Sequence, residues 1–122
     1  MAEKLIIVMA NTDTRNHEEL GAPIFQATVA AAMEYEVEVV LNGRAGCLAV
    51  KGEAAKLQAQ KNSSRTVYDI LKDAYEAGVK FKVCASALDL GNAELIPEIE
   101  ETVGDAYIIS EAMDDNTVTF TY

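Results

Sequence analysis

The strongest constraint in this chain is a set of short apolar runs, each followed by a turn and then by a helix-like pattern. "KLIIVMA" occupies residues 4 to 10. It is continuous rather than alternating, as expected of a strand buried on both faces. "EVEVVL" (36–41) is a second strand and is ended by Asn42-Gly43. "VKFKVC" (79–84) is a third. Strands of this kind fold only if helices cover both sides of the sheet they form.

The segments between them supply helices. A polar loop, "NTDTRNHEELG", follows the first strand, and a helix is expected from about Ala22 to Glu34 with Pro23 in its first turn. Phe25, Thr28, Val29 and Ala32 fall at i, i+3, i+4 and i+7 and are expected to make its buried face. The stretch 44–52 reads as a short helix or a turn, and 53–63 as polar and exposed. A second helix is expected from about Ser64 to Ala77, with Val67, Ile70, Leu71 and Ala74 as its apolar stripe. Ser63 or Ser64 is its cap and Gly78 its stop. "AELIPEIEETVG" suggests a short helix after Pro97, "DAYIIS" a fourth strand, and the alternating "TVTFTY" a fifth, peripheral one. The alternation implies an α/β fold: a mainly parallel sheet with right-handed crossovers and helices on both faces. The length, 122 residues, fits one domain spanning 1–122.

Composition narrows the function classes. Half of the residues are hydrophobic, enough for a core without disulfides or metals. The formal net charge of -10 argues against nucleic acid and against an anionic membrane surface, since both need a basic face. Two cysteines and one histidine do not make a zinc site. The N-terminal apolar run is too short for a signal peptide or a membrane span, so a cytoplasmic protein with reduced thiols is expected.

In a parallel sheet, ligands and reactive groups gather at the carboxyl ends of the strands. Asn11 and the loop after it, the turn 42–47 with Arg44 and Cys47, and Cys84 with Ala85 and Ser86 all fall there. Cys84 is read in two ways: an inert small hydrophobe in the core, or a positioned thiol. If residues 85–87 begin a helical turn, their free N–H groups point at the sulfur. The acidic stretches "PEIEE" and "MDD" read as solvated faces, and would oppose an anionic sulfur if they lay beside it.

The stretches "GAPIFQATVAAAMEYEVEVVLNGRAGCLAVKG" (21–52) and "VYDILKDAYEAGVKFKVCASALDLG" (67–91) resemble the DsrE/DsrF-like proteins. These are small cytoplasmic α/β proteins related to the sulfur-relay subunits of tRNA thiolation and of dissimilatory sulfur oxidation. The pattern is an alanine-rich first helix after an A-P step, a second strand, V-Y-D-I-L, and a G-V-K-x-x-V-C strand ending in cysteine. The resemblance implies a flavodoxin-like fold and homo-oligomers, trimers or hexamers. It also implies a persulfide on Cys84, passed from a sulfur-donor protein to a sulfur-acceptor protein without metal or organic cofactor. Ser86 and the N–H groups of 85–87, Ala85 included, would hydrogen-bond the persulfide. No second cysteine follows within the turn, so Cys47 is the only other candidate thiol.

Other residues carry two readings each. His17 is either a general acid/base near Cys84 or a loop histidine at a helix start, with Asn16 as cap and Glu19 closing a capping box. Arg44 is either a partner for an anionic substrate or thiolate, or a surface or inter-subunit charge. The loop 11–16 has the hydroxyls that could hold an FMN phosphate in a flavodoxin-like fold. Asp13 and the absence of glycine in that loop oppose that alternative. A phosphoacceptor receiver is excluded, because Cys84 stands where its third-strand aspartate belongs. The remaining alternative is an oligomeric scaffold or binding module whose cysteine has no chemistry.

Overall fold

The structure is a computed structural model that describes residues 3–87 and 94–122. Its strands are β1 (Lys4–Met9), β2 (Glu36–Leu41), β3 (Lys80–Cys84), β4 (Ile99–Val103) and β5 (Thr117–Thr121). Its α-helices are α1 (His17–Ala32), α2 (Val67–Glu76) and α3 (Asp105–Ala112). Runs of 3-10 helix cover Gly43–Ala49, Ala54–Lys56 and Ala85–Ala87. The five strands form one sheet in the order β4-β3-β2-β1-β5, with every pair parallel. This is the expected α/β, flavodoxin-like class. Among the described residues no helix is long and apolar enough to cross a membrane.

Strand alternation splits the interior in two. On one face Ile7, Met9, Val37, Val39, Leu41, Phe81 and Val83 pack beneath α1 and α2. This is the larger core. On the other face Ile6, Val8, Val40 and Val103 make a small apolar strip against Tyr107 and Ile108 of α3.

The α2 stripe is as read from the sequence: Val67, Ile70, Leu71 and Ala74 are buried. Each of the larger three contributes about 1.5–3 kcal/mol by leaving water. Its cap is Thr66 rather than Ser63 or Ser64, in a reciprocal capping box with Asp69.

Three local expectations are corrected. The first helix starts at His17, five residues before Ala22, because the Asn16 side chain accepts from the N–H groups of Glu18 and Glu19. Pro23 therefore lies inside α1 and not in its first turn. The buried face is Leu20, Ile24 and Ala27, while Phe25 and Val29 are 40% and 58% exposed. An alanine-rich helix is apolar nearly all round, so spacing alone does not choose the face.

The helix expected after Pro97 is strand β4, and the strand expected at 105–110 is helix α3. Propensity favours a helix for the glutamates of "IEETV", but pairing with β3 decides the outcome, with Ile99 and Val103 turned inward. For "DAYIIS", Gly104 provides an extended N-cap and Asp105 an acidic first turn, and the segment returns across the sheet as a helix.

Candidate functional site

With all strands parallel, their carboxyl ends share one edge, and Cys84 is the last residue of β3 on that edge. Alternation turns Phe81 and Val83 toward α1 and α2, and Lys82 and Cys84 toward α3. Cys84 is 1% exposed. Its sulfur lies 3.1 Å from Ser86 Oγ, and the thiol donates to Asp105 Oδ1 at 3.7 Å. Ser86 sits in the single 3-10 turn Ala85–Ala87, the helical turn expected after the cysteine, and both Ala85 and Ser86 are exposed. A buried sulfur thus lies between an exposed hydroxyl and an exposed carboxylate.

The turn after Cys84 is held by the turn after β2. A Cβ on Gly46 would lie 2.6 Å from Ala87 Cβ and 3.0 Å from Ala87 O, so only glycine allows the two to meet. Gly43, at φ +51°, brings the chain so close to Ala10 that a Cβ would sit 2.2 Å from its carbonyl oxygen.

The other candidate residues are spread along the same edge. Asn11 is exposed and its N–H donates to Tyr122 O at 2.8 Å. The N–H of Arg44 donates to Ala10 O at 3.3 Å, and its charge helps to hold the Asp13 carboxyl below its ordinary range, after the hydrogen bonds from Arg15. Asp13 accepts from the Arg15 N–H at 2.9 Å and from Arg15 Nε at 3.1 Å. Glu19 accepts from the Asp13 N–H at 3.4 Å, a different partner from that of a capping box on Asn16. His17 is the first residue of α1. Among the described residues the hydrogen-bond partners of Cys84 are Ser86 and Asp105.

Cys47 is half-buried against the core beneath α1 and α2, and its thiol donates to Arg44 O at 3.4 Å. Burial pushes that thiol up, and the charge of Glu53 adds to it. Both cysteines are free.

Sequence reasoning missed the group beneath α3. Glu38, 2% exposed, is ion-paired with both Lys4 and Lys82. Lys82 also pairs with Glu101 at 2.9 Å and donates to Tyr107 Oη at 2.6 Å. Its ammonium stands 4.4 Å from the Tyr107 ring centroid. Tyr107 Oη in turn donates to Glu38 Oε1 at 2.6 Å, and Lys4 reaches Glu111 at 3.0 Å.

Burial pushes the Glu38 carboxyl up, but hydrogen bonds from Lys4, Lys82 and Tyr107 outweigh it and bring it down to about 2. Burial likewise opposes the Lys82 ammonium, and its bonds to Glu38, Tyr107 and Glu101 raise it above its ordinary value. Burial and the Glu38 bond push Tyr107 up to about 12 against the pull of Lys82. The signal was present in the sequence as charges inside apolar runs, Glu38 in "EVEVVL" and Lys82 in "VKFKVC".

A single all-parallel sheet, with a thiol ending its third strand, an interior one, and a helix brought down beside the sulfur, defines a small α/β protein with a cysteine at its carboxyl edge. The chain belongs to the DsrE/DsrF-like family, which matches residues 4–117. No curated protein matches it.

Proposed function

We propose that the protein is a sulfur carrier of the sulfurtransferase type, holding a persulfide on Cys84. The observation that carries this reading is the placement of Cys84 in a chain of this family: last in β3, at the carboxyl edge, 3.1 Å from a hydroxyl. In the loading step the Cys84 thiolate attacks the outer sulfur of a donor persulfide. The donor's S–S bond breaks, the donor thiolate leaves, and Cys84-S-SH forms with its proton. In the unloading step an acceptor thiolate attacks that terminal sulfur and the Cys84 thiolate is released. No net oxidation occurs, and the chemistry needs neither metal nor organic cofactor. Ser86 is assigned to hydrogen-bond the loaded sulfur. Such traffic suits the cytoplasm, where thiols stay reduced.

A second property accompanies this reading. Phe25 and Val29 of α1, Met33 just after it, and Val118 and Phe120 of β5 are all at least 40% exposed and line one groove with Leu5 and Tyr35. Contiguous apolar surface of this kind marks a protein contact, and we assign it to the homo-oligomer interface. An assembly made by this face without Cys84 chemistry is the alternative function.

The test is intact-mass spectrometry after incubation with polysulfide, on the native chain and on Cys84→Ser and Cys47→Ser. A gain of one sulfur atom is expected in the native chain and in Cys47→Ser, lost on addition of a small acceptor thiol, and absent from folded Cys84→Ser. An adduct that persists in Cys84→Ser, or none in the native chain, refutes the sulfur-carrier reading and leaves the oligomeric binding module.

A further inference from the structure

α3 is a short helix with little to hold it. It has eight residues, and none of them is fully buried. Gly104, its N-cap, gives it no side-chain cap bond. An isolated helix of this length is not stable in water. Its apolar contact is Tyr107 and Ile108 on a strip of four strand residues. Polar ties supplement that contact. Tyr107 Oη bonds Glu38 and receives Lys82, each at 2.6 Å, and Glu111 receives Lys4 at 3.0 Å.

The position of these ties matters because of what lies on either side of them. Lys82 precedes Cys84 by two residues on the same strand and the same face. Tyr107 follows Asp105 by two residues on the same helix. The strand that carries the sulfur and the helix that carries the carboxylate against it are therefore joined at Lys82–Tyr107, with Glu38 of β2 gripping both.

We propose that Glu38, Lys82 and Tyr107 are positioning residues for Cys84. By fastening α3 to the sheet they hold Asp105 against the sulfur, and so set how fast reagents reach Cys84 and how long a sulfur bound there survives. This rests on Cys84 being the reactive thiol proposed above only for the second of those two effects. None of the three residues touches the sulfur among the described contacts. Their influence is carried by the placement of α3.

The decisive variant is Tyr107→Phe, which keeps the ring and the apolar contact and removes both bonds of the hydroxyl. It is made in a Cys47→Ser chain, so that Cys84 is the only thiol. Alkylation of folded protein by iodoacetamide is followed by mass, with and without low concentrations of urea. Labelling of Cys84 is expected to become at least about tenfold faster, the change that loss of even one of the two charge-assisted hydrogen bonds gives to a local opening. The increase is expected to be independent of urea, because a local opening exposes little new surface.

Ile70→Val, which destabilises the opposite core, serves as reference and is expected to leave the rate unchanged. If Tyr107→Phe does not fold, Lys82→Met, which keeps the Tyr107–Glu38 bond, is measured in the same way with the same expectation. An unchanged rate, or an increase that appears only with urea, as opening through global unfolding would give, overturns the proposal. Cys84 loaded with polysulfide sulfur is expected to yield it faster to cyanide in Tyr107→Phe than in the parent. Should Cys84 take up no sulfur in any chain, the sulfur-carrier reading falls while the labelling comparison still decides the role of the cluster.

Discussion

Glu38→Gln tests the electrostatics of the buried cluster most directly. Glutamine has nearly the shape of a protonated glutamate, so the substitution removes the charge with little change in packing. The Glu38 carboxyl lies at about 2 in the folded protein against an ordinary 4.5. A depressed folded value contributes stability that is fully present above the unfolded value and is lost as pH falls through the folded one. The separation corresponds to about 3 kcal/mol at pH 7. This agrees with the ~3–5 kcal/mol lost when one member of a buried ion pair is removed. Urea unfolding of both chains is compared across pH. The native chain is expected to exceed Glu38→Gln by about 3 kcal/mol at pH 7 and by about 1 kcal/mol at pH 3, the other carboxylates cancelling in the difference. A difference independent of pH, or one below about 1 kcal/mol at pH 7, would refute the argument that Lys4, Lys82 and Tyr107 overcome the burial of this carboxylate.

Two further outcomes follow from packing. Gly46→Ala places a methyl group against Ala87, so the turn behind Cys84 must move; a loss of about 1–3 kcal/mol in urea unfolding is expected, and an unchanged stability would show that the two turns are not in contact. Val29→Asp puts a charge on the exposed apolar face of α1 and is expected to shift the proposed homo-oligomer to monomer in sedimentation while the far-UV spectrum is retained. An oligomer that survives the change would place the interface elsewhere.

How legible each part was depended on whether its signal was local. β1, β2 and β3 and the stripe of α2 could be read because a strand buried on both faces is apolar throughout, and because one buried face of an otherwise polar helix stands out. The segment 97–110 was read with strand and helix exchanged. Its local propensities point one way, and pairing with β3 together with the Gly104 cap acts the other way. The face of α1 was misread because its alanines leave the period without contrast.

The sequence by itself determined the class: a parallel α/β sheet with a cysteine closing its third strand at the edge where reactive groups gather, in a chain with the pattern of the DsrE/DsrF-like family. Only the tertiary structure decided what surrounds that cysteine. Asp105 lies 21 positions from Cys84 in the chain, and Glu38 lies 69 from Tyr107. Nothing local to either residue encodes such a meeting. It arises because the crossing of α3 brings the helix start onto the sulfur and the next inward residue onto the buried charges. The sequence could name the thiol, but its burial and the helix held beside it follow from contacts that exist only once the chain has folded.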